Sequence, residues 1–223
     1  MIKNGLFKRY YLHWKIVNSG IVWAAIAFAI AIAVVCFYLP ELGLVRRTVT
    51  VKNVRIAYEV ASPVFSILIF SQLMAEDMES KVMMWLKSLP IRTWSFLLER
   101  WLIGMTLVLL VFTVSIQLIS WFVITLDFKH FMLSILAPSM LLGHLALLLT
   151  VLGRNGVIGM AVPLFIWVLD LLTNGRILFS LYLFNESFPK FGIDPQWNRA
   201  LIWVCAASFL VLSVLAMSRR VQR

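Results

Sequence analysis

Apolar runs long enough to cross a bilayer follow one another along the chain, separated by short polar breaks. The first covers residues 19–39 without a charge, and Pro40 ends it. The second covers about Glu59 to Met74 and carries Ser62, Pro63, Ser66, Ser71 and Gln72, which suit a face packed on protein rather than lipid. Runs at 101–124, 131–152, 157–172 and 200–217 follow. Six spans of about 20 residues plus connectors use most of the length. The pattern therefore predicts an all-α integral membrane fold with six transmembrane helices, one domain over residues 1–223.

The breaks have their own patterns. In residues 1–17, Leu6, Tyr10, Trp14 and Val17 share a helical face flanked by Lys8, Arg9 and Lys15, which predicts an N-terminal helix lying in the headgroup plane. A frayed extension of the first span is the plainer alternative. VRRTVTVKNVRIAYE (45–59) alternates β-branched and polar residues, as a small hairpin outside the membrane does. LDFKH (126–130) reads as a short outer turn, and GRNG (153–156) as a tight inner one. ILFSLYLF (177–184) is strongly apolar but too short to cross, which predicts a re-entrant element packed on protein before the last span. No internal repeat or low-complexity linker is visible.

Composition agrees with this layout. Of 223 residues, 62% are hydrophobic and 13% charged, with mean hydropathy +0.93. Soluble domains are about 45–50% apolar and about 25% charged. The net charge of +10 is scattered along the chain, as expected beside anionic headgroups, and does not point to nucleic acid. With the N-terminus inside, twelve of the 20 basic residues fall on inner segments. That bias favours cytoplasmic N- and C-termini in the cell membrane. Cys36 and Cys205 lie inside apolar runs and read as small hydrophobes. The first apolar run is too long for a cleavable signal peptide.

Residues 75–92 differ from the rest of the middle of the chain. Glu76, Asp77 and Glu79 open the segment, where a helix N-terminus favours negative charge. Asp77 and Lys81 stand four apart. Met78, Val82, Trp85, Leu86 and Leu89 make an apolar stripe, and Pro90 stops the helix. A short amphipathic helix outside the membrane is predicted. It fits a protein groove or the lipid surface. Its acidic start is unfavourable beside anionic lipids and favours a protein partner.

The run from Glu76 to Thr93 resembles the cytoplasmic signature of type-2, export-type ABC transporter permeases. Glu76 and Glu79 match the acidic positions, and Ser88, Leu89, Pro90 and Ile91 match the following turn. Ser80 and Lys81 stand where many members carry glycine. The layout of spans is similar over the whole chain. The resemblance implies that 76–90 is a coupling helix docking into an ABC ATPase subunit through Glu76, Asp77, Glu79, Lys81, Val82, Trp85, Leu86, Leu89 and Pro90. It also implies a second permease copy or paralogue, ATP and Mg held by the ATPase, and no cofactor on this chain. The cargo class would be amphipathic: a drug, peptide or lipid-like molecule. Accordingly, no G-x-x-x-x-G-K-[ST] loop occurs.

Other polar residues carry weaker signals. Ser66, Gln72, Ser115, Gln117 and Asp170 are candidates to line a substrate pathway; hydrogen bonding between helices is the plainer role for the neutral ones. Asp170, near the outer end of the fifth span, and Glu59 would be coupling acids in an ion-coupled secondary carrier. Pairing of Asp170 with Arg176 at the surface is the alternative. His13, His130 and His144 have no second ligand at metal spacing, and no catalytic cluster suggests an enzyme.

Overall fold

The computed structural model describes residues 19–38, 49–79, 93–189 and 192–221. The predicted interfacial helix at 1–17 and most of the amphipathic segment, residues 80–92, lie outside the described residues.

Among the described residues the protein is helical, with no strand. The elements in order are α1 (Ser19–Tyr38), α2 (Val51–Gln72), α3 (Ala75–Glu79), α4 (Thr93–Phe122), α5 (Phe128–Gly153), α6 (Gly156–Thr173), a one-turn 3₁₀ helix (Phe179–Leu181) and α7 (Pro195–Val221). Five of them, α2, α4, α5, α6 and α7, are long and apolar enough to cross a membrane. This is a multi-pass membrane protein.

The hairpin expected at 45–59 does not form where the structure describes it, because α2 starts at Val51. Thr50, in an extended conformation, caps the helix by accepting from the Asn53 amide at 3.4 Å. Val54, Tyr58 and Ser62 then recur every four residues on the buried face. Their helical period and packing outweigh the β-branched composition. α4 and α7 also begin earlier than the apolar runs, at Thr93 and Pro195.

α5 is the central helix. It packs most extensively on α2 and α7, then on α6. It is buried around most of its circumference, whereas α6 and α7 turn most of their surface outwards, with Phe165, Leu172, Val204 and Val211 exposed as lipid-facing side chains are. Lipid provides no hydrophobic drive for helices to associate, so small residues that let backbones approach carry the packing. Gly143 of α5 lies under Phe70 and Ser66 of α2. Ser139 of α5 donates to Ser62 of α2 at 3.0 Å, beside the helix-breaking Pro138 and Pro63. The Trp101 indole donates to Nε2 of His144 at 2.8 Å, and Nδ1 of His144 lies 3.0 Å from the Ala206 carbonyl. That pattern assigns the hydrogen to Nδ1 and ties α4, α5 and α7 through a neutral ring.

The 153–156 turn is as short as the sequence predicts. Arg154 takes the left-handed conformation (φ 53°), and Asn155 caps α6 by accepting from the Val157 amide at 2.7 Å. The chain doubles back, and Gly159 meets α5 so closely that an added Cβ would lie 1.8 Å from Thr150 Oγ1 and 2.8 Å from the Ala146 carbonyl. Gly159→Ala should therefore lower the thermal midpoint of the detergent-solubilised protein, at a cost of about 1–3 kcal/mol from overpacking. Val162→Ala on the exposed face should not. Equal midpoints for both variants would contradict this packing.

Candidate functional site

The helix order puts two polar centres at opposite ends of the bundle. One end carries α3 and the 154–155 turn, which touch: a Cβ on Gly156 would lie 2.6 Å from that of Ala75. Here Arg100 of α4 pairs with Asp77 at 3.1 Å, and both are buried. The Arg100 guanidinium also lies over the Phe96 ring, 5.3 Å from its centroid. Ala75 and Met78 are buried as well. Three side chains of a five-residue helix thus anchor it to the bundle. Asp77, grouped by spacing with Lys81, takes as its partner an arginine 23 residues on. The side chains of Glu76 and Glu79 lie outside the description, as do Lys81, Val82, Trp85, Leu86, Leu89 and Pro90.

The other end holds a larger network. Glu59 of α2, fully buried, pairs with Arg199 of α7 and accepts the Ser187 amide at 3.0 Å. Arg199 also reaches Glu186 at 3.3 Å and donates to the Leu183 carbonyl at 3.1 Å. Glu186 accepts from Ser134 of α5 and pairs loosely with Arg55 of α2 at 3.7 Å. Asp170 of α6, fully buried, accepts the Leu183 amide at 2.9 Å, while Arg176 is exposed. Asn198 donates to the carbonyls of Ser180 and Tyr182 at 2.7 and 3.1 Å.

Together these bonds explain the apolar stretch before the last span. Residues 182–189 are not helical, and Tyr182, Leu183 and Phe184 are buried. Buried irregular backbone needs partners for its polar groups. Here side chains of α2, α6 and α7 supply the donors and acceptors. Gly175 (φ 71°) permits the approach, since a Cβ there would meet the Tyr182 ring at 2.4 Å. Burial, then the nearby charges of Asp170 and Glu59, push the Tyr182 phenol up to about 12, so it stays neutral at physiological pH.

The five pathway candidates do not converge. Ser66 is buried on α2 against α5, and Gln72 is exposed at the end of α2 near α3. Ser115 is buried, its hydroxyl donating to the Phe112 carbonyl at 3.2 Å, and Gln117 is half-buried. Asp170 anchors the 182–187 segment at the opposite end from Gln72. Sequence spacing does not group Arg55, Ser134, Glu186 and Arg199. A basic residue early in α7 and an acid inside α2 were the available signals. Beside this cluster opens a cavity of about 650 Å³. Among the described residues no three His, Cys, Asp or Glu side chains gather as a metal site.

No protein-family model, curated protein or solved structure matches this chain.

Proposed function

We propose that this chain is the membrane-spanning permease subunit of an ABC exporter, with α1 as the sixth span and both termini cytoplasmic in the cell membrane. The resemblance of residues 76–93 motivates the reading. The anchored α3 is the observation that supports it best. A coupling helix must pass force from an ATPase to the spans. The buried Asp77–Arg100 pair and the Ala75–Gly156 contact give the start of that segment rigid connections to α4 and α6.

In this reading Glu76, Glu79, Lys81, Val82, Trp85, Leu86, Leu89 and Pro90 dock on the ATPase, while Asp77 holds the lever to the bundle. ATP and Mg are bound by the ATPase, which closes as a pair and moves the lever as a rigid body. A second permease copy or paralogue completes the path for an amphipathic cargo. The ion-coupled alternative has less support. Its acids, Asp170 and Glu59, are engaged by the Leu183 amide and by Arg199 with the Ser187 amide.

Co-expression with an ABC ATPase tests the proposal. Glu79→Arg and Trp85→Ala should each abolish co-purification while membrane insertion stays at the level of the unmodified chain. Retained co-purification and transport in both variants would remove the assignment.

A further inference from the structure

The cavity beside the Glu59–Arg199 network has a charge pattern that the network does not use up. It is walled by the terminal turns of α2, α5 and α7 and by the 185–189 stretch. Its volume, about 650 Å³, falls within the roughly 300–1,000 Å³ of small-molecule sites.

Among the described residues two cations reach it, and they differ. Arg199 is saturated by Glu59, Glu186 and the Leu183 carbonyl. Arg55 is not: its ion pair with Glu186 is long, at 3.7 Å, and its side chain keeps 26% exposure. A partly exposed guanidinium held by one long ion pair has donor capacity that an oxyanion can fill. Two acids among the described residues also reach the cavity. Glu186 is engaged by Arg199, Ser134 and Arg55. Asp194 is exposed and uses Oδ1 to accept the Gln196 amide at 3.1 Å. Trp203 adds a half-buried aromatic wall.

A simple anion entering this space would meet Glu186 and Asp194. A simple cation would meet Arg55 and Arg199. A ligand carrying both charges satisfies the wall without opposing it. The position at the ends of membrane-spanning helices is headgroup depth, where phosphodiester zwitterions are the abundant molecules of that kind.

We propose that this cavity binds an ammonium–phosphodiester zwitterion, with the phosphate on Arg55 and the ammonium on Asp194 against Trp203. The site does not depend on the ATPase reading. Its ligand is either a lipid headgroup or a soluble phosphodiester of the same chemistry.

Calorimetry on the purified full chain in detergent tests the site with three probes: glycerophosphoethanolamine, glycerol phosphate and ethanolamine. The first should bind at least tenfold tighter than either probe carrying charge of one sign only. Asp194→Asn, which keeps the local cap on an exposed residue, should weaken it at least tenfold with an unchanged thermal midpoint. Arg55→Gln should weaken binding likewise. Native mass spectrometry from nanodiscs containing phosphatidylethanolamine separates the sources. Retained lipid that Arg55→Gln loses identifies a headgroup; binding of the soluble ester alone identifies a soluble ligand. Absence of both, equal binding of glycerol phosphate, or full affinity in Asp194→Asn overturns the proposal.

Discussion

Arg199→Met is expected to leave little folded protein after extraction into detergent. Glu59 is fully buried, and the side chain of Arg199 is only 11% exposed. Removing the cation strands the carboxylate in a low-dielectric interior, where breaking a buried pair costs about 3–5 kcal/mol. Globular domains commonly have about 5–15 kcal/mol in total. The same substitution removes the Glu186 pairing and the bond to the Leu183 carbonyl. The double variant Glu59→Gln/Arg199→Met should recover part of the loss, because the amide carries no charge and its oxygen can still accept the Ser187 amide. Thermal unfolding followed by size-exclusion chromatography measures both. A single variant as stable as the parent would mean that the pair does not hold this end together.

Arg100→Leu should act locally instead. Its loss strands Asp77, which returns to water most easily by releasing α3 from the bundle, again at about 3–5 kcal/mol. Hydrogen exchange of amides 75–79 should accelerate on the order of a hundredfold, while the core midpoint changes little. Under the permease reading, ATPase stimulation by the complex should fall at least tenfold. The charge swap Asp77→Arg/Arg100→Asp should restore it. Unchanged exchange at 75–79 would show that the ion pair is not what fixes this helix.

Apolar run length is enough to locate the five long apolar helices, but a charge near a run's end shifts the apparent boundary. By hydropathy the third span starts at Trp101, past Glu99 and Arg100, and the sixth at Ala200, past Asn198 and Arg199. The helices continue through these residues because the protein satisfies them: Asp77 for Arg100, Glu59 and Glu186 for Arg199, and the carbonyls of Ser180 and Tyr182 for Asn198. A transfer scale prices an isolated charge in lipid; it cannot see a partner 140 residues away. The same blindness separated Arg55 from Glu186. Short-range chemistry was more legible. The GRNG turn has the predicted form because its capping and left-handed residues act within four positions. That 177–184 is too short to cross is legible from its length, whereas the burial of Tyr182, Leu183 and Phe184 and the side chains that satisfy them are not.

The Glu59–Arg199 pair also imposes an order on biosynthesis. Translation at about 5–20 residues per second leaves Glu59 without its counter-ion for roughly 7–28 s after it emerges. During that interval α2 carries an uncompensated acid, and the 182–187 stretch, once made, has no α7 to donate to its carbonyls. The nascent chain can reach its final arrangement only when the last helix arrives. A ribosome stalled before residue 195 therefore presents the membrane's quality-control proteases with an incomplete bundle that cannot seal itself.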